Sequence, residues 1–222
     1  MPAAEISYGG PMHWQSKFRA TPVTFILLLV SAMVFVLVDV LRMTVILSWF
    51  NYVPLVATPR GWSLSPPNGD LWRFFTPALL HFSWTHLIFN SLWIWEFGQR
   101  IERRIGPILM LVALLLVGCF ANYVQYSWEG ASVFGGLSGV VYGWLGFLVA
   151  GRLLYPCWLT QPPDGLVIFM VVWLFIGLSG GLSVLGLGEI ANGAHFGGLL
   201  GGFMVGSALA LLARSQARRM RR

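Results

Sequence analysis

Charge is what this chain has least of. Only 10% of its 222 residues are Asp, Glu, Lys or Arg, while 57% are hydrophobic. A soluble domain of this length carries about 25% charged residues, so the composition excludes one and points to a membrane protein. Cysteine is sparser still, at two residues. Cys119 falls in an apolar stretch and Cys157 in a loop, so no disulfide framework is implied. Neither is a cleaved leader, because residues 1 to 20 are too polar, and the first apolar stretch is expected to act as an uncleaved signal anchor. No convincing internal repeat is visible. Nor is a folded basic surface for nucleic acid, although the formal net charge is +6.

What the chain has in quantity is helix-length apolar sequence. A bilayer core of roughly 30 Å takes about 20 residues of helix per crossing. Six such stretches lie near 22 to 43, 78 to 98, 107 to 127, 138 to 154, 166 to 182 and 191 to 213. The expected fold is therefore an all-α polytopic membrane protein, a single bundle of six transmembrane helices over 22 to 213. A short cytoplasmic segment, 1 to 21, precedes it and a basic cytoplasmic tail, 214 to 222, follows.

The basic residues orient the bundle, because loops on the cytoplasmic side carry the excess of Lys and Arg. With an even number of crossings both termini share a side. That side holds Lys17, Arg19, Arg100, Arg103, Arg104, Arg152, Arg214, Arg218, Arg219, Arg221 and Arg222, which is 11 of the 14 basic residues. Both termini are thus expected in the cytoplasm, with the arginine tail in reach of anionic lipid.

Two stretches interrupt the helical pattern. Thr44 to Leu71 is rich in Pro and Gly yet carries Val45, Ile46, Leu47, Trp49, Phe50, Tyr52 and Val53. An apolar outer loop of this kind is expected in the membrane interface. The other, Tyr126 to Leu137, ends in two glycines just before Ser138. The stretch beginning there spans only about 25 Å as a helix, which places Ser138 below the outer surface. Irregular backbone at that depth requires protein or a water-filled cavity beside it.

The candidate chemistry lies in Ser138 and His195. An ionisable side chain within a membrane helix is costly and points to function by default, and a serine near it suggests a nucleophile with its general base. Each alone has a plainer reading, the serine as a helix cap and the histidine as a packed core group. Their surroundings favour the chemical one. Unpaired N–H groups at a helix start, including that of Ser138, favour a developing oxyanion, and Gly135, Gly136 and Gly139 permit close backbone approach. His86 and Asn90, four residues apart, share a helix face and both donate hydrogen bonds. Gly198 and Gly202, on the His195 face, are expected to pack against a stripe of Ser138, Tyr142 and Gly146, with the Tyr142 ring on the imidazole. Glu189 is expected in an outer loop, giving a dyad without a carboxylate. His81 reads as a structural interfacial residue, His13 as a solvated one, Trp72 and Arg73 as headgroup anchors, and Glu102 with Arg103 and Arg104 as a helix-end ion cluster.

Gly136-Leu137-Ser138-Gly139, Ala194-His195-Phe196-Gly197-Gly198, His86-Leu87-Ile88-Phe89-Asn90 and Trp72-Arg73, with Gly98, Glu102 and Gly106, resemble the rhomboid intramembrane serine proteases, bacterial members in particular. The resemblance covers about 22 to 213. It implies a six-helix rhomboid-like fold with Ser138 as nucleophile, His195 as base, and His86 and Asn90 beside the oxyanion. It implies an endopeptidase of the bacterial inner membrane that cuts single-span membrane proteins near the outer face, without metal or organic cofactor. The fifth helix and the glycine-rich cap Leu178 to Gly188 would gate lateral access. The rival readings are a catalytically inactive relative that binds membrane clients, and a small transporter with broken helices.

Overall fold

The computed structural model describes residues 20–179 and 190–221. His13, Lys17, Arg19, most of the cap, Glu189 and Arg222 lie outside the described residues. The chain is mostly helical. Helix α1 spans Pro22–Phe35 and continues as a wider π turn through Val40. Pro22 opens it, where a missing N–H costs nothing. Its buried residues Thr24, Leu27, Ser31 and Val34 recur at helical spacing, whereas Ile26, Leu29 and Met33 are exposed. Apolar side chains on the outside are what a helix facing lipid requires.

The first connection holds a short helix, α2 (Thr44–Phe50), and an antiparallel hairpin, β1 (Leu55–Thr58) with β2 (Gly61–Leu64), paired from Leu55 with Leu64 to Thr58 with Gly61. The hairpin departs from the all-helical expectation. Two 3-10 turns, Leu71–Phe74 and Thr76–Leu79, follow. The next helix starts at Trp84 rather than near 78, because the Ser83 side chain accepts the His86 backbone N–H and caps it there.

Helix α3, Trp84–Glu129, is 46 residues long. It is bent back on itself at Gly106, where φ 79° and ψ 166° are open only to glycine and Pro107 follows. In a straight helix Gly98 and Met110 would lie about 18 Å apart. Here a Cβ on Gly98 would stand 3.6 Å from Met110 Cε. The two arms therefore pack side by side, as the division between the second and third apolar stretches requires.

Helix α4 (Ser138–Leu154) is the centre of the molecule, with almost every residue from Gly139 to Gly151 buried. Helices α5 (Asp164–Leu178) and α6 (Asn192–Arg219) complete it, α6 continuing past 213 into the arginine segment. By length and composition three helices, Pro22–Val40, Trp84–Glu129 and Asn192–Arg219, suffice to cross a membrane, and α4 and α5 are shorter apolar helices. The protein is an integral membrane protein.

The α4–α6 contact is made by glycine. A Cβ on Gly198 would stand 1.9 Å from Gly139 O, and one on Gly202 would stand 1.8 Å from Gly143 O. Gly146 abuts the Leu199 carbonyl at 2.2 Å in the same sense. Gly198 and Gly202 do pack on α4 as expected, but their partners are Gly139 and Gly143. Of the expected stripe of Ser138, Tyr142 and Gly146, Gly146 is in the contact, while Ser138 and Tyr142 give way to their neighbours Gly139 and Gly143, since a side chain at those positions lies beside so close a contact and not within it.

Candidate functional site

The segment leading to Ser138 is held from both sides. Asn51, fully buried in the first connection, donates to Val53 O (3.0 Å) and Ser132 O (3.1 Å) and accepts from the Phe134 N–H (3.3 Å). Phe134 packs on Tyr52, whose ring stacks on Tyr126 at 4.8 Å. The Gly136 N–H then donates to Pro77 O (3.0 Å), and a Cβ on Gly135 would come within 2.6 Å of that carbonyl. Ser138 emerges from this clamp as the first residue of α4, half-buried.

His195 reaches the same place from α6. Ala194, its neighbour, lies against Gly139, and its backbone N–H donates to Gln125 Oε1 at 2.9 Å. The imidazole is 6% exposed and sits on the Tyr142 ring, centroids 4.6 Å apart and planes tilted 38°. Tyr142 is itself fixed, donating its hydroxyl to Met170 O on α5 at 3.2 Å. Because Tyr142 is one turn beyond Ser138, the imidazole lies along the face of α4 that begins with Ser138. The expected ring contact is present. His195 Nδ1 is buried with no hydrogen-bond partner among the described residues.

His86 and Asn90 form the opposite wall. A Cβ on Gly136, which has φ +123°, would fall 2.6 Å from His86 Nε2 and 3.4 Å from Asn90 Nδ2. Only glycine lets the backbone pass so close to both side chains. Thus Ser138, His195, His86, Asn90, Gly136, Gly139 and Tyr142 gather at one end of the α3, α4 and α6 contact. Gly198 and Gly202 lie farther down it.

His81 belongs with them. Instead of the expected interfacial position it is fully buried, with its ring 4.9 Å from that of His86. Its Nδ1 lies 3.2 Å from Leu79 O, and Nε2 lies 3.1 Å from Asn90 Nδ2 and 3.4 Å from the Leu137 N. One tautomer is compatible with all three: Nδ1 donates to the carbonyl, and the single Nε2 lone pair is shared by the Asn90 amide and the more distant Leu137 N–H. His81 therefore joins the Asn90 side chain to the residue before Ser138. It precedes the helix, where no periodicity marks a burial.

Two further expectations are corrected. Arg73 is not a headgroup anchor but is 7% exposed, its Nη1 donating to the carbonyls of Ser48 (2.6 Å), Trp49 (3.2 Å) and Asn51 (2.8 Å) while Nε bonds Asp70 (2.9 Å). It organises the first connection from within. Trp72 stacks on Trp49 and donates to its carbonyl. Glu102 is not part of an ion cluster. It is 1% exposed and accepts from the backbone N–H of Val23 (2.7 Å) and Thr24 (2.8 Å) and from the Thr24 hydroxyl (2.6 Å), so it caps α1 from a neighbouring helix.

Among the described residues, no three His, Cys, Asp or Glu side chains gather closely enough to hold a metal. A family model described as the Rhomboid domain matches residues 68–211, which takes in every residue of the site.

Proposed function

The chain belongs to the rhomboid family, whose members are generally intramembrane serine proteases, and from that premise we propose that it is a serine endopeptidase cutting single-span membrane proteins. Ser138 Oγ attacks the scissile carbonyl carbon while His195 takes its proton, and His195 then returns a proton to the leaving amine. The Ser138 N–H, His86 and Asn90 donate to the oxyanion. Water enters the acyl-enzyme by the reverse proton route and frees Ser138. No step requires a metal or organic cofactor.

The observation that carries this reading is the Tyr142–His195 ring contact, which supports His195 as a base working beside Ser138, one turn before Tyr142. His86 and Asn90 across Gly136 supply donors on the other side. Their side chains need not be hydrogen-bonded before substrate binds, since such contacts tighten in the complex.

In this reading the bundle crosses the membrane six times, the two arms of α3 counting as two crossings, with both termini in the cytoplasm of a bacterial cell. Lateral gating by α5 and the segment after it belongs to the same proposal. The supporting residues Gly198 and Gly202 set how closely α6 approaches α4.

The test is cleavage of a labelled single-span substrate by purified protein in liposomes, beside Ser138→Ala and His195→Ala. Cleavage by the native chain alone, with fluorophosphonate labelling lost in Ser138→Ala, is the expected result. Folded native protein that neither cuts nor labels would move the assignment to the inactive client-binding relative.

A further inference from the structure

At the bend of α3, remote from Ser138, a cavity of about 390 Å³ opens between the end of the first arm and the connection from α4 to α5. Gln99, Arg100, Arg103, Arg104, Trp158 and Thr160 line it. Arg100 is neutralised by Glu96 and tied to Gln161 O at 3.2 Å. The other two arginines are not. Arg103 donates to the neutral Gln99 amide at 2.7 Å, and neither Arg103 nor Arg104 has an acidic partner among the described residues. Glu102, between them and Ile101, is engaged with Val23 and Thr24 instead.

Arginines at the end of a helical arm have an ordinary role in offsetting its negative pole. That pole amounts to roughly half an elementary charge. Two free guanidinium groups exceed it, leaving more than one positive charge at the cavity. The second arm of α3 begins at once with lipid-exposed side chains, Ile108 at 79% and Leu109 at 46%. Unpaired cations at the cavity, followed within a few residues of chain by exposed hydrocarbon, match a ligand with both an anionic and an apolar part.

We propose that this cavity binds the phosphate headgroup of an anionic phospholipid, with Arg103 and Arg104 on the phosphate and acyl chains along the start of the second arm. Free phosphate shares the headgroup chemistry but leaves Ile108 and Leu109 uncovered. Anchoring the bend in this way would tie the α3 turn to the membrane boundary independently of proteolysis.

The experiment is native mass spectrometry of the full-length protein offered phosphatidylglycerol and phosphatidylcholine in equal amounts. The native chain is expected to retain phosphatidylglycerol preferentially. Arg103→Gln/Arg104→Gln should reduce that retention about 25-fold, from about fivefold per basic residue at an anionic surface, and Arg218→Gln/Arg219→Gln, in the tail that also reaches anionic lipid, should reduce it much less. Arg104→Gln alone, at an exposed position, is expected to lose about fivefold and serves if the double variant does not fold. Native-like retention by the Arg103 and Arg104 variants would overturn the site, as would an equal loss in the Arg218 and Arg219 variant, which would mark diffuse charge. Inorganic phosphate in millimolar excess should not displace the lipid. If it does, the site is one for free phosphate and the lipid assignment fails.

Discussion

At the scale of the residue, the site depends on side chains that are missing. Gly198 and Gly202 bring α6 so close to α4 that a single methyl at either would overlap a carbonyl oxygen. Backbone atoms cannot rotate aside as a flexible side chain does. Gly198→Ala should therefore force the helices apart at a cost of about 1 to 3 kcal/mol, the usual range for overpacking. Gly165, near the start of α5, has nothing within 4 Å of a Cβ, and Gly165→Ala should be neutral or stabilise by up to about 1 kcal/mol through helix propensity. Thermal unfolding in one detergent compares the two. A native melting curve for Gly198→Ala would refute the close contact. The sequence made the two helices legible as partners through their small residues, and Gly146 is in the contact, but Gly139 and Gly143 stand where Ser138 and Tyr142 are expected, because spacing gives a face and not which residue on it touches. His81, Arg73 and Glu102 depart from expectation for a related reason. Each is polar and near a helix end, where a solvated role is common, and only folded partners distant in sequence reveal that each is buried and satisfied.

At the scale of the element, helix existence was legible and helix endings were not. Hydrophobic length located the long helices, since crossing a bilayer demands it, but not the short α2, which lies in a stretch expected as an interfacial loop. The start at Trp84 depended on the Ser83 cap, the extension of α6 to Arg219 on continued helix propensity past the apolar part, and the β1–β2 hairpin on local pairing among apolar residues that read as an interfacial loop. The bend in α3 is the decisive element. Gly106 adopts φ 79° and ψ 166°, a region where a Cβ is strained by about 1 to 3 kcal/mol, although no neighbouring atom would obstruct it. Gly106→Ala should lower stability by that amount through backbone strain alone. Replacing Gly69, also at positive φ with open space around it but in a surface loop, should cost less, because that loop can relax. Chemical denaturation of both variants checks this, and an unchanged midpoint for Gly106→Ala would mean that the bend is not fixed at that residue.

At the scale of the molecule, the basic side chains gather at one end. Arg100 reaches Gln161 O, Arg152 pairs with Asp164, and Arg214 reaches Leu154 O, so three separate segments converge on the connection from α4 to α5. The other end holds the hairpin and the connection organised by Arg73, joined through Asn51 to the segment before Ser138. Excess Lys and Arg marks the cytoplasmic side, so the first end should face the cytoplasm and the site the exterior. The chain carries its own reporter, because Cys157 is exposed in that connection. A membrane-impermeant maleimide applied to intact cells should leave Cys157 unlabelled, and labelling should appear once the membrane is opened. In a Cys119→Ser/Cys157→Ser background, Thr58→Cys at the exposed hairpin turn should behave in the reverse way, reacting in intact cells. Labelling of Cys157 from outside would invert the orientation and place Ser138 towards the cytoplasm, where it would meet a different set of substrate segments. Labelling of both positions from one side would contradict the separation of the two ends across a bilayer, and with it the proposed sixfold crossing.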